Sequence, residues 1–379
     1  MDRKLMTYRV LKGLEFLLSV FPLSHNKVMI FNYDGKGFGD NGKYIAQQLI
    51  KRNPNVRVIW PVKGKCNNKK IANVSFIRYR SLAFFYHLAT SRCWVSNYRM
   101  PLYVRKRKGQ LYVQTWHGCV ALKRIEKDAE ELLGNWYVDQ AMHDSQLIDV
   151  MISNGSFCTR MYKNAFWYDG VIKEYGSPRL KPLFIDNSNL KKIISRDYHF
   201  SNEKKVVLYA PTFRDDHDLS IYDIDVKRIE MQLKRSFGGD WVVLFRLHPS
   251  LAGNVTVQRD CGIDVSDYPD MYELLAISDV LITDYSSTMF EFGYQSKTVL
   301  LYMPDMDKYI KDRNFYFDIK DLPYPMSTSQ DELIELIKRF DKSEYDVKVK
   351  EFNESLGIKE DGKASERVSS MILRWMRKY

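Results

Sequence analysis

The chain has 379 residues, of which 45% are hydrophobic and 28% are charged, and its formal net charge is +11. This length fits two domains that each bury a core, and the composition excludes an intrinsically disordered protein. The five cysteines are scattered without paired spacing, which argues against a disulfide framework or a cysteine zinc site and favours a reducing cytosol. The basic excess fits a solvated face, nucleic acid, an anionic bilayer or phosphorylated substrates, so it selects none of them by itself.

The first element predicted is a helix near the N-terminus, in which basic and apolar residues mix over residues 3–22. The segment lacks the roughly 20 uninterrupted apolar residues of a membrane-spanning helix, and no small-residue cleavage site follows it. Two interpretations stay open: a basic amphipathic helix in the membrane interface, or a helix packed on the protein core. We assign residues 1–25 as an amphipathic, membrane-associating segment.

Apolar, β-branched runs then alternate with helical patterns in both halves of the chain. The predicted strands are Val28–Asn32, Val56–Pro61, Val74–Tyr79, Cys93–Asn97, Leu111–Thr115, Val150–Ser153, Val206–Ala210, Val242–Arg246, Val280–Thr283 and Val299–Tyr302. The predicted helices include Asn41–Arg52, Ser81–Thr90, Ile224–Phe237, Met271–Ile277, Thr288–Tyr294 and Glu366–Arg377. Such alternation of uniformly apolar strands with helices predicts an α/β protein with parallel sheets covered on both faces.

Two Rossmann-like domains facing one cleft are therefore expected. We place the first at residues 26–185, the second at residues 186–360 and a C-terminal helix at residues 361–379, with a polar junction near Leu180–Asn202. In doubly wound sheets, ligands bind beyond the carboxyl ends of the strands. Polar clusters at strand ends are therefore the candidate functional residues.

The first such cluster ends the strand at Leu111–Thr115 with Trp116, His117 and Gly118. A histidine at this place can expose its ring to a cleft and titrate near neutrality, although a structural role is the common alternative. The second cluster contains Thr212, Phe213 and Arg214, where the arginine offers a bidentate fork for phosphate. The acidic residues that follow, 215–218, fit no standard metal-ligand spacing, so no metal site is predicted there.

The third cluster is Arg246, Leu247 and His248, in which strand alternation sends the arginine and the histidine to the same side. The fourth contains Ser286 and Ser287, where an apolar strand breaks and a helix begins. Free backbone N–H groups and small hydroxyls at a helix start suit a phosphate, but they equally suit a simple N-cap. Glu291 lies one helical turn further on, where it can meet a ribose hydroxyl.

The four runs Thr-Trp-His-Gly, Ala-Pro-Thr-Phe-Arg, Arg-Leu-His-Pro and Asp-Tyr-Ser-Ser, in this order, resemble the CDP-glycerol glycerophosphotransferase family. The resemblance extends from the segment Asn32–Asn41 through Phe315–Asp318. It implies a GT-B architecture and the transfer of glycerol phosphate from CDP-glycerol to a hydroxyl, with release of CMP. It implies no cofactor and no metal.

The resemblance also implies residue roles. His117 would be the general base on the acceptor hydroxyl, and His248 would stabilise the phosphate under attack with Arg246 beside it. Substrate contacts would come from Gly118, Arg179, Thr212, Phe213, Arg214, Arg246, Leu247, Ser286, Ser287 and Glu291. The chain has Cys119-Val120 where the family usually has Thr-Pro, which makes the polyol of the donor less certain.

The implied partners are CDP-glycerol, a lipid-linked (polyprenyl pyrophosphate) glycan or growing polymer as acceptor, and an anionic membrane surface at the cytoplasmic face of the cell membrane. Because family polymerases often carry an extra N-terminal region, the length of the chain favours a primase or single-transfer enzyme. Three alternatives remain: a CDP-ribitol ribitolphosphotransferase, a GT-B glycosyltransferase using a nucleotide sugar, and a non-catalytic nucleic-acid-binding protein. The last is disfavoured because no nucleic-acid motif is present and the polar residues cluster at strand ends.

Overall fold

The structure is a computed structural model that describes residues 3–64, 71–212, 214, 220–247, 262–311 and 314–378. It divides into two compact units. The first unit comprises residues 1–119, 125–181 and 359–379, and the second comprises residues 120–124 and 182–358. The chain passes between them next to the predicted boundary at residues 185 and 186. The C-terminal helix, predicted as a separate segment, belongs to the first unit.

The first unit is built on a seven-stranded sheet in which all paired strands run parallel. Its strands are β1 (Ser24–Phe31), β2 (Arg57–Val62), β3 (Val74–Arg78), β4 (Ser91–Ser96), β5 (Leu111–Gln114), β6 (Val150–Ser153) and β7 (Val171–Glu174). Their order in the sheet is β3-β2-β1-β4-β5-β6-β7. Every residue of β4 and β5 is buried, as expected for central strands covered by helices on both faces.

Helices of the first unit cover this sheet. They are α1 (Arg3–Leu18), α2 (Asp40–Arg52), α3 (Leu82–Thr90), α4 (Asn135–Leu147), α5 (Ser156–Ala165) and α13 (Ala364–Lys378), with 3₁₀ helices at Glu126–Leu132 and Pro178–Phe184 that begin in this unit. The α13 helix returns to this unit after the whole second unit and packs on α2. Ile45 and Leu49 of α2 share one buried cluster with Val368 and Ile372 of α13.

The second unit repeats the plan with a six-stranded parallel sheet. Its strands are β8 (Lys205–Tyr209), β9 (Trp241–Phe245), β10 (Ile263–Asp264), β11 (Val280–Thr283), β12 (Thr298–Tyr302) and β13 (Met326–Ser327). Its helices are α6 (Ser188–Asp197), α7 (Val226–Phe237), α8 (Met271–Ile277), α9 (Thr288–Gly293), α10 (Met306–Lys311), α11 (Gln330–Arg339) and α12 (Lys342–Ser355), with 3₁₀ turns at Ser220–Tyr222 and Ile319–Asp321. The strand order is β10-β9-β8-β11-β12-β13.

Local sequence signals account for several of these helix ends. Asp225 accepts a hydrogen bond from the Arg228 N–H at the start of α7, and Gly238 ends that helix at φ +65°. Asp341 caps α12 in the same way through the N–H groups of Ser343 and Glu344.

The predicted α/β class with two Rossmann-like parallel sheets is confirmed. All ten predicted strands are present within one or two residues at most ends, although β1 and β4 begin earlier than predicted. The prediction missed β7, β10 and β13. All three are edge strands, and β10 and β13 have only two residues each, so they lack the continuous apolar run that marked the others.

The N-terminal helix α1 packs on α3 and also exposes apolar side chains. Glu15 of this helix is buried and accepts the backbone N–H of Arg105, whereas Val10, Phe16 and Leu17 are exposed, as is Val20 just beyond the helix. The packing on α3 agrees with the interpretation of a helix packed on the protein core, and the membrane-interface interpretation stays a prediction. Within the described residues, α1 and every other helix are too short or too polar to cross a bilayer.

Four predictions lie outside the described residues. They concern His248, Phe213, the acidic residues 215–218 and two of the cysteines, Cys66 and Cys261. The other three cysteines, at positions 93, 119 and 158, are buried free thiols.

Candidate functional site

In both sheets the strand order reverses direction beside the first strand of the unit, which creates a topological switch point. In the first unit this point lies between β1 and β4, and the chain segments that follow β1, β4 and β5 carry polar residues. In the second unit it lies between β8 and β11, and the segments after β8, β9 and β11 do the same. Most of the sequence-predicted residues therefore follow strands at or next to a switch point, whereas Arg179 follows the edge strand β7.

His117 comes three residues after β5, behind Trp116, whose backbone has a left-handed φ of +52°. The ring nitrogen Nδ1 of His117 lies 2.8 Å from the carbonyl oxygen of Asn97, the residue that follows β4. Because a carbonyl only accepts hydrogen bonds, Nδ1 carries the proton. The neutral ring then presents the lone pair of Nε2, which is the form a general base requires.

Aromatic rings surround this histidine. The ring centroid of Trp116 lies 4.0 Å away, that of Tyr33 5.3 Å away and that of Tyr98 6.1 Å away. Burial lowers the pKa of His117 to about 4. The imidazole is therefore neutral at pH 7.

An ion pair of Arg179 with Asp40 lies next to the main chain of His117. The guanidinium Nη1 of Arg179 donates to the carbonyl oxygen of His117 at 2.7 Å and to Oδ2 of Asp40 at 2.8 Å. Burial opposes the charge of Asp40, but Arg179 and nearby N–H donors hold the pKa of that carboxyl below its usual value. Arg179, predicted as a donor contact, is thus buried in an ion pair within the first unit.

Gly118 and Cys119 follow the histidine. The hydroxyl of Tyr162 donates to the carbonyl oxygen of Gly118 at 2.8 Å. The Cys119 thiol is buried and lies 3.2 Å from the hydroxyl of Ser177. The cysteine that replaces the family's usual threonine therefore packs inside the unit.

In the second unit, the buried Arg214 is the centre of a hydrogen-bonded network. Its Nη2 donates to Oδ2 of Asp284 at 2.8 Å, and its Nε donates to Oδ2 of Asp305 at 2.6 Å. Its Nη1 donates to the carbonyl oxygen and the hydroxyl of Thr212 at 2.8 and 2.7 Å. The fork predicted to hold phosphate is directed at carboxylates in this structure, and a phosphate contact of Arg214 or Thr212 stays a prediction.

Asp284 joins the ends of two neighbouring strands. Its Oδ1 accepts hydrogen bonds from the backbone N–H groups of Thr212 at 2.8 Å and Tyr285 at 2.6 Å. The carboxylate is fully buried and also receives Arg214. The segments after β8 and β11 are therefore held in a fixed relation by one side chain.

Arg246 and Leu247 follow β9. The Nη1 group of Arg246 donates to the carbonyl oxygens of Tyr268 at 2.7 Å and Val265 at 3.2 Å. Its Nε and Nη2 groups have no hydrogen-bond partner among the described residues. Leu247 is buried, and its N–H donates to the hydroxyl of Ser266 at 2.8 Å.

The serine pair stands where β11 gives way to α9. Ser287 occupies the N-cap position, and its side chain makes no capping hydrogen bond, while the Ser286 hydroxyl lies 2.7 Å from that of Thr288. Within the described part of the chain, the Ser287 hydroxyl has no partner. Glu291 is buried in α9 and accepts a hydrogen bond from the Tyr272 hydroxyl at 2.7 Å. The predicted ribose contact of Glu291 stays a prediction.

Sequence reasoning missed the four polar residues that hold these clusters together. They are Asp40 and Asn97 in the first unit, and Asp284 and Asp305 in the second. Asp40 lies inside the segment Asn32–Asn41, whose run of glycines and polar residues was the available signal. Among the described residues, no group of three or more histidine, cysteine or acidic side chains could hold a metal ion.

Comparison with known proteins identifies relatives over the whole chain. The teichoic acid poly(glycerol phosphate) polymerase of Staphylococcus epidermidis is 33% identical over 91% of this chain and 50% of its own length. That of Bacillus subtilis is 31% identical over 99% of this chain and 52% of its own. The chain thus spans about half the length of these two relatives. The teichoic acid glycerol-phosphate transferase of Staphylococcus aureus is 33% identical, over 94% of this chain and 95% of its own.

Solved structures with a similar fold include relatives of the same kind. The wall teichoic acid polymerase TagF has a TM-score of 0.84 at 29% identity, covering 99% of this chain and 96% of its own. The UDP-GlcNAc 2-epimerase of Neisseria meningitidis, at 14% identity and a TM-score of 0.51, shares the fold alone. The model of the CDP-glycerol:poly(glycerophosphate) glycerophosphotransferase family matches residues 14–374, so the chain belongs to that family.

Proposed function

We propose that this protein transfers glycerol phosphate from CDP-glycerol to a hydroxyl of a lipid-linked glycan or growing polymer, releasing CMP, in the synthesis of teichoic acid or a related polymer. Family membership supports the donor and the reaction. The names of its relatives, which include both a polymerase and a glycerol-phosphate transferase, support the acceptor class. The observation that carries the proposal is His117, whose Nδ1 proton is held by a carbonyl while Nε2 is left to accept a proton.

In this reaction Nε2 of His117 removes the proton of the acceptor hydroxyl. The acceptor oxygen forms a bond to the β-phosphorus of CDP-glycerol, and the bond from that phosphorus to the oxygen of CMP breaks. Phosphoryl transfer of this kind depends on positioning and charge stabilisation rather than on covalent catalysis. By the family resemblance, His248 and Arg246 stabilise the phosphate under attack. Arg246 suits that role because part of its guanidinium is unpartnered among the described residues.

The second unit holds the donor in this proposal. Ser286 and Ser287 offer hydroxyls to the pyrophosphate at the end of β11, and Glu291 reaches the ribose. Phe213, Leu247 and Gly118 complete the donor contacts that the resemblance implies. For Arg179, which the resemblance also implies as a donor contact, we propose an indirect role, since its guanidinium engages Asp40 and the carbonyl oxygen of His117. For Arg214 we propose an indirect role together with Thr212: since its N–H groups engage Asp284 and Asp305, it shapes the segments that bind the donor.

The N-terminal region supports the membrane part of this proposal. Val10, Leu17 and Val20 are exposed on or beside α1, and so is Leu82 at the start of α3, the helix on which α1 packs. Such apolar side chains beside basic residues suit an anionic membrane surface. We therefore propose a peripheral location at the cytoplasmic face of the cell membrane, where a polyprenyl pyrophosphate-linked acceptor is found.

The test is nucleotide release with matched donors. The protein is incubated with a synthetic lipid-linked disaccharide and with CDP-glycerol, CDP-ribitol or UDP-N-acetylglucosamine. The masses of the products are then measured by mass spectrometry. We expect CMP from CDP-glycerol only when the acceptor is present, with the acceptor gaining glycerol phosphate. CMP from CDP-ribitol alone would establish the ribitol alternative, and UDP from the sugar donor would establish a glycosyltransferase. The number of units added to the acceptor separates single transfer from polymerisation.

A further inference from the structure

The orientation of the His117 ring depends on the carbonyl of Asn97, and that residue is itself held tightly. Its side-chain Nδ2 donates to Oδ1 of Asn32 at 2.9 Å and to Oδ1 of Asp40 at 3.0 Å. Its Oδ1 accepts from the N–H of Tyr33 at 2.9 Å. With both donors and the acceptor of its buried amide used, Asn97 has one arrangement, and its carbonyl points in one direction.

The carboxylate of Asp40 accepts several of the hydrogen bonds in this cluster. Besides the amide of Asn97, its oxygens accept from the N–H of Asn41 at 2.6 Å, the hydroxyl of Tyr33 at 3.1 Å and the guanidinium of Arg179 at 2.8 Å. Asp40 is buried and has a left-handed φ of +54°. A non-glycine residue in that conformation costs about 1 kcal/mol or more, so the surrounding contacts must hold it there.

The same residues hold the main chain of the histidine. The carbonyl oxygen of His117 accepts from Arg179, and that of Trp116 accepts from the side-chain Nδ2 of Asn41 at 2.9 Å. Asn41 in turn accepts the backbone N–H of Arg179 on its Oδ1 at 3.0 Å. The ring of His117 is thus fixed by Asn97, and its backbone is fixed by Arg179 and Asn41. All three of these residues contact Asp40 or are adjacent to it in the chain.

We propose that Asp40 is a positioning residue that acts through Asn97 and Arg179 to fix His117 in the tautomer and orientation of the general base. The proposal rests on the proposed function for the base role alone. It assigns Asp40 an effect on proton acceptance, since its negative charge favours the imidazolium that forms during the reaction. The charged groups that face His117 are Asp40, Arg179 and Arg99, and the two arginines oppose that effect.

Two variants test this role, and they are expected to shift the pKa of His117 in opposite directions. Asp40→Asn keeps the shape but removes the negative charge, so the pKa of His117 falls and the acidic limb of the pH–rate profile moves to lower pH. Arg179→Gln removes a positive charge, so the limb moves to higher pH. We expect kcat to fall about 10- to 100-fold in each, because the base is displaced, with little change in the KM for CDP-glycerol. A variant that is merely damaged in folding has less active protein, but the acidic limb of its pH–rate profile stays at the wild-type pH.

The tautomer is read independently of turnover. In the full-length protein labelled with ¹⁵N-histidine, long-range ¹H–¹⁵N spectra report which ring nitrogen carries the proton, and His117→Asn assigns the signal. We expect the Nδ1–H form in the wild type and a mixture of tautomers in Asp40→Asn. Asp149→Asn is the matched control. It removes a carboxylate that accepts the Tyr112 N–H at the opposite end of β5, and it should change nothing at His117.

The outcomes separate the two proposals. A changed tautomer in Asp40→Asn without CDP-glycerol turnover by the wild type would overturn the proposed function and support the positioning role. Retention of the wild-type tautomer in both variants, with unshifted limbs, would overturn the positioning role and leave the function standing. If Asp40→Asn does not fold, Arg179→Gln decides by the same measurements.

Discussion

Glu15 provides a quantitative test of how α1 is attached to the first unit. Its carboxylate is buried and accepts the backbone N–H of Arg105 on both oxygens at 3.0 Å. Burial raises its pKa to about 7, although Arg105 and Lys12 act in the opposite direction. The folded protein therefore holds the proton more tightly than the unfolded chain. Stability from this group is present below the unfolded pKa and is lost as pH rises through 7.

The difference between the folded and unfolded pKa values corresponds to about 3 kcal/mol, most of which is lost between pH 5 and pH 7.5. Glu15→Gln keeps an acceptor for the Arg105 N–H and removes the titration. The variant should therefore lose less stability than the wild type over this range, by about 2–3 kcal/mol.

Urea unfolding followed by tryptophan fluorescence at pH 5 and pH 8 measures this difference. Six of the seven tryptophans lie in the first unit, so the signal reports mainly on that unit. Glu131→Gln, which removes an exposed carboxylate from the same unit, is the control and should behave like the wild type. The reasoning is refuted if Glu15→Gln shows the same loss of stability with pH as the wild type.

Two further predictions concern binding. Replacing Ser286 and Ser287 together by alanine should weaken CDP-glycerol binding by about tenfold or more, because hydrogen bonds to a charged phosphate are lost; an unchanged Kd by calorimetry would exclude the serine pair from the donor site. Leu17→Ser with Val20→Ser should reduce co-sedimentation with anionic vesicles by roughly tenfold, since both exposed side chains leave the lipid. Leu132→Ser removes an equally exposed leucine elsewhere in this unit, and a loss as large in that control would argue against a membrane role for α1.

The strands that form the middle of each sheet could be predicted because burial on both faces leaves a continuous apolar run in the sequence. The edge strand β7 carries Lys173 and Glu174 and is partly exposed along its length, so no such run marks it. Its place was set by pairing with β6, which is a tertiary property.

The sequence indicated candidate residues at strand ends but did not show which partners their side chains have. Strand ends pointed to His117 and Arg214, because ligands of doubly wound sheets bind there. The partners of Arg214 lie 70 and 91 residues further along the chain, at Asp284 and Asp305. Nothing local in the sequence shows that these carboxylates receive the guanidinium. The sequence around Arg214 therefore cannot distinguish an arginine that binds phosphate from one that forms a structural ion pair.

Asp40 illustrates the same limit more strongly. It lies at the start of α2 with a left-handed backbone, and its ion-pair partner Arg179 is 139 residues away. The sequence showed only a segment rich in glycine and polar residues. The contacts that connect it to His117 exist only when the ends of β1, β4 and β5 are brought together.

The most direct test of the account is the kinetic effect of His117→Asn. The asparagine amide can still donate to the Asn97 carbonyl, so the local structure should be retained while the basic nitrogen is lost. We expect CMP release to fall by about 10²–10⁴-fold while the Kd for CDP-glycerol, measured by calorimetry on the same sample, stays within about twofold of the wild type. A rate close to that of the wild type, or a loss of donor affinity equal to the loss of rate, would contradict the assignment of His117 as the general base.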